Sequence, residues 1–257
     1  MNQENRFAVL IDADNVSEKY IRYILDEVTN SGIATYKRIY GDWTKPSLGS
    51  WKSVLLSYSI TPIQQYGYTT GKNATDSAMI IDAMDILYSG NIEGFCLVSS
   101  DSDFTRLASR LREGGMEVIG MGEKKTPAPF IAACNRFRYL EVLAQEATDD
   151  GDDSANTPKI QPVAEVTSKE VIAAAILSMV RDASDEDGRL PISDIGNMLA
   201  RRYPDFDSRN YGFKKLTQFV RSLNLFDIIF EPAENGRGKV GYVAEKEIHR
   251  YRPRIHV

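Results

Sequence analysis

Histidine is nearly missing from this sequence. The 257 residues hold two, His249 and His256, both close to the C-terminus. That nearly removes His-based catalysis and every zinc-protease motif from consideration. Cysteine is equally scarce, and Cys96 and Cys134 make neither a disulfide framework nor a zinc site. No long hydrophobic run occurs. The longest, Val171 to Val180, is interrupted by Ser178 and would cover about half a bilayer. The apolar run behind the polar stretch Met1–Arg6 stops at Asp12, too short and too poorly charged for a secretory signal. The expectation is a cytoplasmic protein without a membrane anchor. Internal repeats are lacking too. With 10 prolines and 18 glycines the chain is neither collagen-like nor wholly disordered. What remains, 42% hydrophobic and 26% charged, is ordinary globular composition, enough for one large core or two smaller ones.

The net charge of −5 hides a split. Residues 1–167 carry 16 Lys and Arg against 23 Asp and Glu, whereas residues 168–257 carry 15 against 13. Between them lies Asp149-Asp150-Gly151-Asp152-Asp153-Ser154, followed by Pro158 and Pro162. Clustered like charge with little apolar surface stays solvated. The chain therefore reads as a first domain over 1–146, an acidic flexible linker over 147–166, a second domain over 167–246 and a basic tail over 247–257, with Arg250, Arg252 and Arg254.

In the first domain short apolar runs alternate with helix-period segments. Phe7–Ile11, Ala34–Tyr40, Ile60–Tyr66, Gly94–Ser99 and Met116–Gly120 read as strands, the last entered through Gly114-Gly115. Tyr20, Ile21, Ile24, Leu25 and Val28 share one helical face, and Phe104, Leu107, Ala108 and Leu111 another. Ala78 to Leu87 forms an apolar helix. Such alternation predicts an α/β domain, a mainly parallel sheet with helices on its faces. In parallel sheets ligands bind at the carboxyl ends of the strands, and the acids collect there. Asp12 and Asp14 follow the first strand, Asp101 and Asp103 the fourth, and Asp76 opens the helix behind Gly71-Lys72-Asn73-Ala74-Thr75. Five anions at one edge would repel one another and raise one another's pKa values. A hard divalent cation, Mg²⁺ or Mn²⁺, relieves that. The matching chemistry is metal-assisted phosphodiester hydrolysis, with one ion or with two about 3.5–4 Å apart.

Each acid also has a local reading. Asp14, Asn15 and Ser17 suit a cap for a helix beginning near Glu18, Asp103 a cap for one beginning at Phe104, and Thr75 or Asp76 a cap for Ser77–Leu87. Asp82 lies roughly 240° around the helix from Asp76, so a supporting or packing role is expected, and Asp85 reads as a surface charge. Lys72 and Asn73 ahead of a helix N-terminus, and Lys124 and Lys125 after the fifth strand, suit phosphate. Tyr40, Trp43, Tyr66 and Tyr68 suit stacking on unpaired bases, although Trp43 also reads as a packed loop aromatic.

Val9-Leu-Ile-Asp-Ala-Asp-Asn15, Tyr40-Gly-Asp-Trp-Thr44, Pro62-Ile-Gln-Gln65, Gly71-Lys-Asn-Ala-Thr-Asp-Ser-Ala78, Val98-Ser-Ser-Asp-Ser-Asp-Phe104 and Gly122-Glu-Lys-Lys-Thr-Pro127 together resemble the NYN domain, a branch of the PIN-like nuclease superfamily, over about residues 5–143. The resemblance implies a parallel-sheet domain with an acidic metal site that cleaves RNA. It implies Asp12, Asp76 and Asp101 as core acids, Asp103 as a fourth, and Asn15 positioning water or phosphate. Lys72 and Asn73 belong to the same motif. Asn135 stands where many relatives have Asp, and its expected role is structural.

The second domain shows the stripe Val171-Ile172-Ala175-Ile176-Met179-Val180, then a short helix Ile195–Arg202 capped by Ser193 and ended by Pro204. A third helix is expected from Asp207 or Ser208, with Tyr211, Leu216, Phe219, Val220 and Leu223 as its apolar side. Leu225–Phe230 and Val240–Ala244 form a hairpin around Asn235-Gly-Arg-Gly238. Three helices and a hairpin make a small winged helix-turn-helix. Its expected exposed cations are Arg201, Arg202, Arg209, Lys214, Lys215 and Arg221, with Arg237 and Lys239 on the wing. Asp187-Gly188, Leu190–Leu199, Pro204-Asp-Phe-Asp207 and Tyr211-Gly-Phe-Lys-Lys-Leu216 resemble the LOTUS domain, also called OST-HTH. This implies binding of RNA, including G-rich structured RNA, or docking of a protein partner, and the whole chain resembles a bacterial-type NYN–LOTUS protein.

The leading expectation is a Mg²⁺- or Mn²⁺-dependent endoribonuclease whose second domain binds the RNA. The alternative is a non-catalytic RNA-binding adaptor. Asp12-Ala-Asp14-Asn-Val16 also matches the Asp-x-Asp-x-Val of haloacid-dehalogenase-type phosphatases, but Gly-Lys-Asn-x-x-Asp and Tyr-Gly-Asp-Trp have no place there.

Overall fold

The computed structural model describes residues 4–66, 74–149, 167–232 and 238–246. The chain divides into two compact units, residues 1–158 and 159–257. Among the described residues no helix is long and apolar enough to cross a membrane.

The first unit runs β1 (Arg6–Asp12), α1 (Ile21–Thr29), β2 (Ile33–Gly41), α2 (Lys52–Leu55), β3 (Thr61–Gln64), α3 (Ala74–Ser89), β4 (Gly94–Val98), α4 (Thr105–Glu113), β5 (Glu117–Gly122), α5 (Ala128–Ala133), β6 (Arg136–Tyr139) and α6 (Leu140–Asp149). The strands form one sheet in the order β3-β2-β1-β4-β5-β6, every neighbouring pair parallel. Central strands of such a sheet bury both faces, hence the unbroken apolar run of β1, where Phe7 through Ile11 are wholly buried. Phe7, Val9 and Ile11 join Ile21, Ile24 and Val28 of α1 and Leu140 and Leu143 of α6 in one core. Alternation turns Ala8, Leu10 and Asp12 to the opposite face. Their β2 neighbours Arg38 and Tyr40 both bond to Asp82 of α3, so α3 covers that face. Cys96 and Cys134 are buried free thiols, and burial pushes Cys134 up to about 12.

Strand β6 was not expected from the sequence. Asn135 leads into it: its N–H donates to the Val118 carbonyl (2.8 Å), and its Oδ1 accepts from the Val118 N–H (2.9 Å). The side chain thus extends the β5–β6 ladder. Helix α6 runs on to Asp149, past the expected start of the linker at 147. The rest of the linker, 150–166, and the basic tail lie outside the described residues.

The second unit runs α7 (Lys169–Ala183), β7 (Arg189–Pro191), α8 (Ile192–Arg202), α9 (Leu216–Ser222), β8 (Phe226–Pro232) and β9 (Lys239–Glu245). Its strands form an antiparallel sheet in the order β7-β9-β8. Ile172, Ile176 and Met179 of α7, Ile195 and Leu199 of α8, Phe219 of α9, Phe226 and Val243 share one core. Three expectations need correction here. Helix α8 starts at Ile192 behind Pro191, so Ser193 lies inside it and is not its cap. The expected third helix is two pieces, a 3-10 turn Ser208–Tyr211 and α9, because Gly212 adopts the left-handed region (φ 86°) and ends the first piece. Strand β7, three residues long, was also missed.

Candidate metal centre

The sheet order reverses between β1 and β4: each is followed in sequence by a strand on its own far side. In open parallel sheets the crevice at such a switch point is where ligands bind. Asp12 ends β1, and the loops leaving the carboxyl ends of these two strands carry Asp14, Asp101 and Asp103.

Asp12 is wholly buried. Its Oδ2 accepts from the Asn15 amide (2.7 Å) and the Ser99 hydroxyl (2.7 Å), and its Oδ1 from the Asp14 N–H (3.1 Å). Burial raises its pKa, and these three donors oppose the rise. Ser99, also wholly buried, accepts from the Asp101 N–H (3.1 Å) while donating to Asp12. One hydroxyl therefore ties the two acid-bearing loops together. Sequence reasoning gave Ser99 no role at the acidic site. Its signal was slight: a hydroxyl directly behind a fully apolar strand, two residues ahead of an aspartate.

Asp101 caps the 3-10 turn Ser102–Phe104 by accepting from the Asp103 N–H (2.9 Å). The capping duty expected of Asp103 thus belongs to Asp101. Ser17 stands at its expected cap position without a side-chain bond to the helix. Asp76 occupies the first turn of α3. Carboxylate oxygens of Asp76, Asp101 and Asp103 all lie within 4.8 Å of one another. Asp12 stands outside that trio, yet its charge reaches Asp76. Burial and then the charges of Asp12, Asp101, Asp103 and Asp14, in that order, push the Asp76 carboxyl up to about 6. Asp14 is held by the Lys45 ammonium (3.2 Å) and the Thr75 hydroxyl (3.2 Å), two partners that the sequence did not suggest.

Among the described residues this trio is the one group of three acids, cysteines or histidines close enough to share an ion. Three hard oxygen donors, one of them with a pKa raised by burial and by its neighbours' charges, suit a hard divalent cation rather than a soft metal. Asn15, expected to position water or phosphate, has its amide on Asp12. Asp82 is bound to Arg38 and Tyr40, the supporting position expected of it.

The residues expected to hold nucleic acid scatter. Lys72, Asn73, Tyr68 and Arg237 fall outside the described residues. Tyr40 is corrected: it is wholly buried, donates its hydroxyl to Asp82 and offers no face to a base. Trp43 donates its indole N–H to the Ile63 carbonyl (3.0 Å) and packs partly on the first core. Tyr66 is half exposed. On the loop after β5, at the same sheet edge as the acids, the Lys124 backbone N–H donates to Glu141 (3.0 Å) and Lys125 pairs with Glu123 (2.9 Å). In the second unit Lys214, Lys215 and Lys239 are exposed. Arg209, expected exposed, is held by both carboxylate oxygens of Asp207.

A family model of the NYN domain matches residues 6–141, and one of the OST-HTH/LOTUS domain matches residues 167–237. No curated protein matches the chain. Among solved structures, a protein of unknown function from Vibrio parahaemolyticus is 18% identical at a TM-score of 0.45, over 54% of this chain and 94% of its own. An uncharacterized protein from Nitrosomonas europaea, solved by NMR, is 28% identical at a TM-score of 0.26, over 40% of this chain and 98% of its own. Neither likeness is close enough in fold to carry a functional conclusion.

Proposed function

The chain belongs to the NYN domain family, within the PIN-like nucleases, and carries behind it an OST-HTH/LOTUS domain, a domain type that binds RNA; on that premise we propose that it is a metal-dependent endoribonuclease whose second domain binds the RNA to be cut. The observation that supports this best is the convergence of Asp76, Asp101 and Asp103 within 4.8 Å at the switch point of the sheet. These three would hold Mg²⁺ or Mn²⁺. A divalent cation bound there supplies a polarised water and neutralises charge developing on the phosphodiester.

The chain's own residues have distinct parts. Asp12 places a fourth negative charge behind the trio. It keeps one Oδ1 lone pair uncommitted while Ser99 and Asn15 fix its orientation. Asp101 is fixed by its own capping bond and by the Ser99 hydroxyl on its N–H. Lys124 and Lys125, on the loop beside this edge, would meet phosphates of the RNA, as would Lys72 and Asn73 ahead of α3. In the second domain Lys214, Lys215, Arg237 and Lys239 would do the same. The covalent link raises the concentration of captured RNA at the acids.

The test is incubation of the full chain with labelled RNA and Mg²⁺ or Mn²⁺, beside Asp101→Asn. Wild type should cut internally. Loss of a group on which the reaction depends costs at least about 10²-fold, by analogy with removal of one transition-state donor. Equal rates for both proteins would assign the cutting to a contaminant. Binding without cleavage in either metal would make the chain an RNA-binding adaptor.

A further inference from the structure

Phe230 is the most exposed aromatic ring of the second unit's core side, and its surroundings are not those of a core residue. It lies on β8 two residues beyond Ile228 and four beyond Phe226, on the face that packs against the helices. Phe226 is 3% exposed, whereas Phe230 is 47% exposed. Its partner across the ladder is Gly241, where a Cβ would come within 3.2 Å of the Phe230 ring. One edge of the ring therefore rests over bare backbone, and nearly half of the residue stays open to solvent.

Two cations flank this ring. The Arg221 guanidinium, in the last turn of α9, sits 5.9 Å from the ring centroid. Lys239 is exposed and shares the same sheet face, since it is two residues from Gly241 on β9 and opposite Pro232. Gln218, one turn before Arg221, is also exposed. The acids of β8 point the other way. Asp227 and Glu231 alternate onto the opposite face, and Glu231 is bound there to Arg189 (2.5 Å). Around Phe230 the sheet thus sorts its side chains by face, with the ring and two cations on one face and both acids of β8 on the other; Glu245, at the far end of β9 opposite Phe226, shares the ring's face but is buried and bound to Arg181. An apolar partner would gain little from a ring rimmed by charge. A polyanion with an exposed π-face fits both parts: stacking uses the ring, and the phosphates on either side of the base meet the cations.

We propose that Phe230, with the Arg221 guanidinium over its ring and Lys239 on the same sheet face, is a stacking platform for an unpaired nucleotide. This rests on the RNA-binding role given to the second domain, and it specifies that role: the ligand is a single-stranded or looped-out segment, because a paired base offers no free face. Lys239 then contacts phosphate, and the Arg221 guanidinium over the ring is a planar cation that joins the stack.

The experiment uses the full chain in EDTA, so that no cleavage occurs, with a fluorescent single-stranded oligoadenylate and a hairpin-free duplex RNA. Phe230→Ala should weaken single-strand binding roughly tenfold and leave duplex binding nearly unchanged. Phe230→Trp should restore binding, and its added indole fluorescence should be quenched by the oligoadenylate. Lys239→Gln should lower the slope of log affinity against log salt by about 0.7. If wild type binds the single strand and Phe230→Ala binds it equally well, the platform is wrong while the RNA-binding role stands. If wild type binds neither RNA, the role itself falls and the platform with it. Should Phe230→Ala fail to fold, as judged by its melting curve, the quenching of Phe230→Trp decides: no quenching on a bound strand overturns the proposal.

Discussion

Asp76 loses water on folding and faces four other carboxylates, and the two effects act in the same direction. Its carboxyl is pushed up to about 6 from an ordinary 3.8. A raised folded-state pKa means that folding favours the protonated form. The stabilising contribution is complete below about 3.8, the ordinary value, and disappears as pH rises through about 6. At neutral pH without metal, Asp76 is therefore a net burden. A cation needs the ionised form, so protons compete with it below about 6. Mn²⁺ affinity measured by titration calorimetry should accordingly fall about tenfold between pH 7 and pH 5. Asp76→Asn should melt higher than wild type in EDTA at pH 7 and lose the upward shift that Mn²⁺ produces. Equal Mn²⁺ affinity at the two pH values would remove Asp76 from the ion's ligands. At this scale the sequence was partly legible. Acids directly after apolar runs were visible as candidate site residues. Ser99 was not, because a lone hydroxyl gains its meaning only when another loop brings a buried carboxylate within 2.7 Å.

At the scale of elements, the carboxyl edge depends on loops approaching one another closely. Gly122 ends β5 beside the loop from β4, and a Cβ there would lie 2.6 Å from the Ser99 carbonyl and 2.5 Å from the Thr126 hydroxyl. The carbonyl is backbone and cannot swing aside. Gly122→Ala should destabilise the fold by about 1–3 kcal/mol in urea unfolding. It should also weaken Mn²⁺ binding, since Ser99 carries Asp12 and Asp101. Gly49→Ala, where a Cβ meets nothing within 4 Å, is the matched control and should stay close to wild type. A Gly122→Ala protein as stable as the control would mean that the edge is looser than its geometry implies. The elements that sequence reasoning missed share a cause. Strands β6 and β7 are four and three residues long, too short to show a period. They exist because an adjacent strand offers unpaired backbone. The break at Gly212 was overlooked because the apolar residues on both sides continue a helical spacing that the left-handed glycine interrupts.

For the molecule as a whole, each unit closes its own core, one around β1 and α1, the other around α7 and Phe219. Two cores need not unfold as one. Scanning calorimetry should show two transitions, and Mn²⁺ should raise one and leave the other in place, because ligand stabilises only the state that binds it. A single transition shifted as a whole by Mn²⁺ would contradict that division. The charge split had already divided the chain: an acidic first part, an aspartate-rich connection and a mildly basic second part follow from composition alone. So do the alternation of strands and helices, the acids at strand ends and the hairpin of the second unit, since each is a local pattern that a few neighbouring residues dictate. Strand order is not local. Only the tertiary structure placed β4 beside β1, opened the crevice between their loops and carried the first turn of α3 across to it. It also fixed which acids meet. Asp103 joined Asp76 and Asp101, while Asp12 stayed behind, hydrogen-bonded in the interior. Electrostatic repulsion between carboxylates acts through distance in space, and distance along the chain gives no measure of it.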